Sequence, residues 1–411
     1  MSSKLKILIS SYTCSPYRGS EPGVGWNFVK GLSKFHEVHV IVEKKKWKKD
    51  INNYLNENPR LNENLKFYFL IKKRNKILRK LWPPSYYWFY KKWQKQAYKL
   101  GVELNEKENF DIIHQLTMVG YREPGYLWKI DKPFVWGPIG GLEITPWRFL
   151  PSMGLKGLIH FTGRNVLNSF QKKFLSRPKR AATRENNYLI SATPSNRDEI
   201  YKLWGKKSEV ISEVGQLIDM NFNLCSRNEG PIKIVWSAVH EPRKNLGTLL
   251  KALTIANFPW ELHVLGEGSE TNKWKKLSKN LDISDNCIWY GWIEMEKSFE
   301  IFKKGHLFCI TSLHDLTSTV TLEALSFGLP IICLDHCGFA DVVNDSCGIK
   351  IPLTTPKEVI QGFSNAIEKL YKDEYLRYEL SKGSVKRAQD YAWENKIIKV
   401  NNIYKILTKT K

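Results

Sequence analysis

The chain has 411 residues, 42% of them hydrophobic, which is globular material for more than one core and predicts two domains. Lys and Arg number 64 against 41 Asp and Glu, a formal net charge of +23, so the expected partner carries negative charge: nucleic acid, an anionic membrane surface or a phosphate-rich substrate. No run comes near eighteen consecutive apolar residues, which excludes a helix that crosses a bilayer.

The first residues, Met1-Ser2-Ser3-Lys4-Leu5-Lys6, lead straight into a short strand without the apolar core of a signal peptide. The expected location is therefore the cytoplasm, with the option of lying against the inner face of the plasma membrane. Seven cysteines, at positions 14, 225, 287, 309, 333, 337 and 347, are odd in number and form no Cys-x-x-Cys pair. Free thiols in a reducing compartment fit this pattern, and Cys333 with Cys337 lacks the His or Cys partners of a zinc site.

In chain order, Lys6–Ser10 and Glu37–Val42 predict short buried parallel strands separated by a helix over about 24–35. The intervening loop runs into Pro22-Gly23-Val24-Gly25-Trp26, where two glycines at a helix start let a backbone approach a diphosphate. Glu43 ends the second strand where a ribose-binding acid of a dinucleotide fold would lie. Against that reading, about a dozen residues separate the glycines from the first strand, and Phe28 fills the third-glycine position.

Further strands are expected at 65–71, 111–116, 132–136 and 189–192. Between Asn64 and Val102 stand eleven Lys or Arg, eleven aromatic residues and no acid, and Lys156 to Arg184 adds eight Lys or Arg without an acid. Cations with Trp and Tyr suit docking on an anionic lipid surface, centred on Lys72–Lys99. The same ingredients bind single-stranded nucleic acid, and some of the aromatics are equally good core material. Asp111-Ile112-Ile113-His114-Gln115-Leu116 puts His114 at a strand end, and Trp136-Gly137-Pro138-Ile139-Gly140-Gly141 forms a glycine-rich loop after another strand.

A polar stretch, Asn223 to Pro231, reads as a linker, after which strand and helix alternate again. Strands are expected at 232–237, 260–265, 287–290, 307–311, 331–334 and 348–351, with helices near 245–256, 272–279, 297–302, 318–327 and 356–371. The predicted fold class is α/β: two Rossmann-like doubly wound domains, 1–222 and 229–388, facing one another across a ligand cleft. Arg243 and Lys244 flank a helix start after the first strand of the second half.

The stretch from Leu313 to Ile332 holds two carboxylates, Asp315 and Glu323, on either side of a helix start. Ser318 or Thr317 is expected to cap that helix, and Gly328-Leu329-Pro330 to end it. Backbone N–H groups around Ser318, Thr319 and Val320 would seat a phosphate. Glu323 has no capping partner, since Val320 stands three residues before it, and its apolar neighbours make an unpaired carboxylate costly.

This segment resembles the carboxylate motif of retaining glycosyltransferases of family 4, in which Glu, seven residues, then Glu-Ala and Gly-x-Pro grip a nucleotide sugar. Asp315 stands where most members carry Glu. The resemblance extends to Glu-Pro-Gly-x-Gly at Gly23 and Gly25, to Lys244-Asn245, to Cys337-Gly338-Phe339-Ala340-Asp341, and to Tyr290-Gly291-Trp292 at the base. It also includes Asp-x-x-His at His114 and the Gly-Pro-x-Gly-Gly loop of polysaccharide-assembling members.

Two features depart from the family pattern: its loop arginine falls near Ala238 or Val239 here, and Leu116 replaces its second histidine. What the resemblance implies is the GT-B fold, with the last helix, 389–411, returning to the first domain. It further implies transfer of a sugar from a UDP- or GDP-type donor to a saccharide, lipid-linked acceptor, with retention and without a metal or other cofactor. Glu323 would hold the ribose hydroxyls, Lys244 and Arg243 the diphosphate, and Asp315 the donor sugar. Gly23, Gly25 and Gly291 would complete the donor site; His114, at the strand end where the cleft begins, is a catalytic candidate, while the second histidine, which commonly lies beside the transferred sugar in the family, is Leu116 here. Nucleic acid is then not an expected partner; a basic, aromatic-rich nucleic-acid-binding protein on a Rossmann-like scaffold is the alternative.

Overall fold

A computed structural model of the chain describes residues 4–216 and 230–409. The expected linker, apart from Gly230 and Pro231, the expected boundary near 222, and Cys225 lie outside the described residues. The chain forms two compact units. The first comprises Met1–Leu142, Gln171–Gly215 and Trp393–Lys411, and the second comprises Glu143–Phe170 and Gln216–Ala392. Residues 143–170 thus group with the second unit, although the expected domain limits placed them in the first.

Each unit is built on one wholly parallel sheet. In the first unit the strands are β1 (Lys6–Ser10), β2 (Glu37–Glu43), β3 (Leu65–Leu70), β4 (Ile112–Gln115), β5 (Phe134–Ile139), β6 (Asn187–Ser191) and β7 (Ser208–Val210). Their spatial order is β3-β2-β1-β4-β5-β6-β7. In the second unit β8 (Ile232–Ser237), β9 (Trp260–Leu265), β10 (Cys287–Gly291), β11 (Leu307–Ile310), β12 (Ile331–Leu334) and β13 (Gly348–Ile351) follow the order β10-β9-β8-β11-β12-β13.

Both orders run outward from the first strand of the unit and then reverse, as in a doubly wound Rossmann sheet. Strands covered by helices on both faces read as apolar runs, and Ile7, Leu8, Ile9, Val40, Ile41, Ile332 and Cys333 are fully buried. The order reverses between β1 and β4 in one unit and between β8 and β11 in the other. Ligands of open α/β sheets bind at such points, beyond the carboxyl ends of the strands.

The final helix, Trp393–Lys409, belongs to the first unit and is packed closely there. A Cβ on Gly31 would lie 2.5 Å from Ile397 Cγ1, and one on Gly215 would lie 2.8 Å from the Trp393 ring, so both positions exclude a side chain. The buried Lys396 ammonium donates to the Ser212 carbonyl at 3.0 Å and also to the Ser212 hydroxyl and the Val214 carbonyl. Lys396→Met keeps the apolar stem but strands those acceptors in the interior. It is expected to destabilise the first unit by about 1–3 kcal/mol. Urea unfolding followed on that unit should show the earlier transition, and an unchanged midpoint would remove the pinning role.

Candidate functional site

In the second unit the two strands that flank the reversal each send out a loop from the carboxyl edge of the sheet. The loop after β8 ends in a single 3-10 turn, Pro242–Lys244, and the loop after β11 runs from Thr311 to Ser318. Three hydrogen bonds hold the loops together. The Leu313 amide donates to the Arg243 carbonyl at 2.8 Å, the buried Thr311 hydroxyl donates to the Lys244 carbonyl at 2.7 Å, and Trp236 Nε1 donates to the Thr311 hydroxyl at 3.1 Å. Asn245, in a left-handed conformation with φ 50°, then turns the chain into the helix Leu246–Leu253.

This backbone arrangement brings three of the sequence-predicted side chains into one ionic cluster. The Lys244 ammonium, 9% exposed, donates to the carboxylate of Asp315. Arg243 Nη1 lies 3.5 Å from the other Asp315 oxygen and donates to the His314 carbonyl at 2.9 Å, while Arg243 Nε donates to Glu241 at 2.7 Å. The Asp315 amide donates to Cys337 Sγ at 3.3 Å. Cys337 thereby joins the cluster, whereas the Asp341 carbonyl of the same motif accepts from Arg387 at 2.8 Å.

Two members had no local signal in the sequence. His314 is buried, and burial together with the Arg164 and Arg243 guanidinium groups pulls its imidazole down to about 3. It is therefore neutral near pH 7 and accepts from Arg164, 2.9 Å away. Arg164 lies 150 residues earlier, on the helix Gly154–Phe174, where no spacing rule connects it to the motif.

The helix after Asp315 runs from Thr319 to Ser326, and its start differs from the expected cap. Ser318 occupies the capping position with φ 66° and makes no side-chain cap, and the Thr317 carbonyl accepts from the Thr321 hydroxyl at 3.3 Å. A capping hydroxyl reaches the first-turn amides from extended backbone, and the left-handed φ at 318 is a different geometry. Ser318, Thr319 and Val320 are all partly exposed. At the other end Gly328, with φ 69°, closes the helix as expected: the Leu329 amide returns to the Ala324 carbonyl at 3.0 Å and leads into β12.

Glu323 projects from the middle of this helix, partly buried, and enters no ion pair or side-chain hydrogen bond among the described residues. Desolvation alone raises its carboxyl above the usual range. Gly291 ends the edge strand β10 with φ 67°, and its carbonyl accepts from the Gly266 amide at 2.9 Å. A Cβ there would lie 2.7 Å from Glu267 Oε1, so the position keeps the end of the strand narrow.

The predicted residues of the first unit have structural partners. His114 is fully buried in β4, with Nδ1 2.6 Å from the Tyr404 hydroxyl and Nε2 2.9 Å from the Gly137 carbonyl, and burial lowers it to about 4. Both ring nitrogens are occupied, which corrects the expectation of a catalytic histidine. Gly23 and Gly25 lie inside the helix Ser20–Leu32, which starts four residues earlier than expected. A Cβ on Gly25 would come 2.2 Å from the Thr13 carbonyl oxygen and one on Gly23 2.5 Å from the Arg18 carbonyl oxygen, so the space beside each is filled by protein backbone. Glu43 is fully buried, accepts from the Lys46 amide at 2.9 Å and pairs with Arg74 at 3.0 Å, so it caps a helix and is not free for a ribose.

The basic aromatic segment divides into two parts. Tyr90 and Trp93, on the helix Ser85–Glu108, are core residues packed on Tyr12 with ring centroids 4.9 and 5.0 Å away. Ile77, Leu81, Trp82, Tyr87 and Trp88 are exposed. Among the described residues Glu37, His39 and Glu108 form a group with metal-ligand atoms in reach of one another. Lys66 pairs with Glu37 at 2.6 Å and Lys6 with Glu108 at 3.2 Å. The six described cysteines are free and buried.

Residues 222–387 match the family model described as glycosyl transferases group 1. A stretch of 107 residues is 36% identical to the lipopolysaccharide 1,6-galactosyltransferase of Escherichia coli K12, covering 25% of this chain and 30% of that protein. The chain spans less than two thirds of the length of the curated relatives it matches first. Among solved structures, the lipopolysaccharide outer core galactosyltransferase WaaB superposes with a TM-score of 0.65 at 15% identity, over 97% of this chain and 98% of that one. HepE of Anabaena, solved with UDP and glucose, gives 0.61 at 15% identity over 97% and 99%. These likenesses, with the two parallel sheets, show the GT-B fold.

Removing either partner of the Lys244–Asp315 pair leaves a buried charge without its counter-ion, and Asp315→Asn is expected to destabilise the second unit by about 3 kcal/mol. A double-mutant cycle with Lys244→Met should give a coupling energy of about 1–3 kcal/mol from chemical unfolding. Additive effects would show that the two side chains do not meet.

Proposed function

We propose that the chain is a retaining, metal-independent glycosyltransferase of family 4. It moves a sugar from a nucleoside diphosphate of the UDP or GDP type to a lipid-linked saccharide during assembly of a cell-surface polysaccharide or lipopolysaccharide. The observation that carries this reading is the ionic cluster of Lys244, Arg243 and Asp315 on the loops after β8 and β11, followed on the next helix by a partly buried Glu323 that enters no ion pair among the described residues. Support comes also from the family match over 222–387 and from relatives named for lipopolysaccharide synthesis. The nucleic-acid alternative accounts for the net charge but leaves this cluster without a task.

In the proposed chemistry, two hydroxyls of the ribose donate to Glu323 and replace the water it has lost on burial. As the bond from the anomeric carbon to the diphosphate breaks, its electron pair leaves with the phosphate. The cations of Lys244 and Arg243 stabilise that developing charge within a partly desolvated crevice. The uncapped start of the helix at Ser318–Val320 offers the positive end of its dipole to the same group. Asp315 holds both cations in place before the donor arrives and faces the sugar once phosphate oxygens share them. His114 takes no part in this scheme, and its task is to tie β4 to the final helix.

Thermal shift with UDP, GDP, ADP and CMP in turn, with and without magnesium, should reveal one nucleotide that stabilises the protein equally in both conditions. Stabilisation that depends on magnesium would overturn the metal-independent reading. Glu323→Gln should weaken that nucleotide by roughly tenfold to a hundredfold, the equivalent of about 1.5–3 kcal/mol for charge-assisted hydrogen bonds. The ionised carboxylate is the acceptor, and its pKa is raised by burial. Wild-type affinity is then full above that raised pKa and falls as pH drops through it, and the Gln variant lacks this limb.

The exposed Trp82, Tyr87 and Trp88 with their lysines are assigned to an anionic membrane surface. Sedimentation with phosphatidylglycerol vesicles at low salt should carry the protein down, phosphatidylcholine vesicles should not, and Trp82→Ala with Tyr87→Ala should weaken the effect severalfold. Equal sedimentation of parent and variant would remove these side chains from the contact.

A further inference from the structure

The carboxyl edge of the first sheet carries a pocket that the donor reading does not use. Its walls come from four places: the helix Lys44–Glu57 after β2, the loop after β3, the helix Lys76–Leu81 and the start of the helix Ser85–Glu108. We propose that this pocket, about 160 Å³ and lined by Lys46, Lys72, Arg74, Arg79, Ser85 and Tyr86, binds the phosphoryl group of an anionic ligand. It lies wholly within the first unit, so it stands or falls independently of the donor cluster in the second.

Three observations support the assignment. Lys72 is 2% exposed, and its ammonium sits among aromatic rings, 3.2 Å from the Tyr86 ring centroid with Tyr12 and Tyr90 at 5.4 and 6.0 Å, without an ion pair among the described residues. Cation–π attraction offsets part of the desolvation of a lysine, and a contacting anion would offset much more. Among the described residues Lys46, Lys72 and Arg79 enter no ion pair. The nearby buried carboxylate, Glu43, is already held by Arg74 and by the Lys46 amide.

The third observation is Ser85. Its side chain lines the pocket, is fully buried, and has a hydroxyl without a hydrogen-bond partner. Buried hydroxyls find partners in folded proteins, and a phosphoryl oxygen would supply this one. Guanidinium and ammonium groups with a hydroxyl donor make a phosphate-binding set. Lys73 and Lys76 at the rim add positive charge.

Burial, reinforced by Arg74, Arg79 and Lys46 and opposed by Glu43, lowers Lys72 to about 7. Near pH 8 its amine is then mostly neutral, while a bound anion favours the ammonium. Binding at that pH therefore takes up a proton. A merely structural lysine beside three tyrosines would give no such coupling to a ligand.

The phosphoryl group can belong to a soluble compound or to a lipid headgroup, and the test separates the two. Pyrophosphate is titrated calorimetrically at pH 8 into full-length protein carrying Arg243→Ala and Lys244→Ala, which silences the donor cluster, and two buffers of different ionisation enthalpy read proton uptake. Binding is expected to persist in that background and to weaken at least tenfold when Lys46→Ala and Arg79→Ala, both exposed, are added. Lys72→Met should abolish the proton uptake. A control of equal charge outside the basic aromatic segment, Lys202→Ala with Lys207→Ala, both exposed, should bind as the parent does.

In parallel, phosphatidylglycerol vesicles replace pyrophosphate. Loss confined to vesicle binding in the Lys46 and Arg79 variant, and not in the control, assigns the headgroup as the source. Loss of pyrophosphate affinity assigns a soluble phosphoryl compound. If the pocket variant matches the parent in both assays, or the control loses as much, the proposal is wrong. Should Lys72→Met fail to fold, the two exposed substitutions decide the matter alone.

Discussion

An ammonium group that is nine-tenths removed from water needs a counter-charge within contact, and Lys244 finds it in Asp315, seventy-one residues further along the chain. That pair joins the loops leaving β8 and β11, the two strands between which the order of the second sheet reverses. Hydrogen bonds from Thr311 and Leu313 to the carbonyls of Lys244 and Arg243 fix the backbone on which both charges ride. The positions of Arg243, His314, Arg164 and Cys337 follow from this junction, because each of them contacts one of its members.

A paired cation remains able to bind an anion when the new ligand offers what the old partner offered. Phosphate oxygens match carboxylate oxygens as acceptors for lysine and arginine, and a diphosphate brings more of them. Asp315 lies against both cations and keeps them from repelling each other across the loops. Glu323 differs in kind. No side chain offsets its desolvation among the described residues, so its carboxyl is raised above the usual range. One carboxylate is paired with two cations, and the other enters no ion pair among the described residues.

The sheets were legible in the amino-acid order because parallel strands buried on both faces are continuous apolar runs. Twelve of the thirteen strands coincide with such runs; β7, Ser208–Val210, is short and half-exposed and carries no such signal. Helix starts were less legible. The helix at Ser20 begins before its apolar periodicity does, and Ser318 has the right side chain for a cap but the wrong backbone angle. Asp315 and Lys244, which the structure pairs, were singled out through motif spacing together with Glu323, and such spacing records local chain geometry. Arg164 and the two partners of His114 come from distant segments, and only packing brings them in. His114 was misread for the same reason: a strand-end histidine looks identical in sequence whether its nitrogens face a ligand or, as here, Tyr404 and Gly137.

The net charge of +23 acquires an address from this comparison. Both sheets share one strand order, so both offer a carboxyl edge where anions are met, but the edges are balanced differently. In the second unit Lys244 and Arg243 face Asp315 and Glu241, and the cluster is close to neutral before a ligand enters. In the first unit Glu43 pairs with Arg74, and Lys72, Lys46 and Arg79 enter no ion pair among the described residues. A neutral cluster of fixed geometry selects by shape and hydrogen bonding, whereas an uncompensated one attracts any anion of suitable size and orients it weakly. The two edges therefore differ in kind: paired charges of fixed geometry in the second unit, and unpaired cations beside exposed Trp and Tyr in the first.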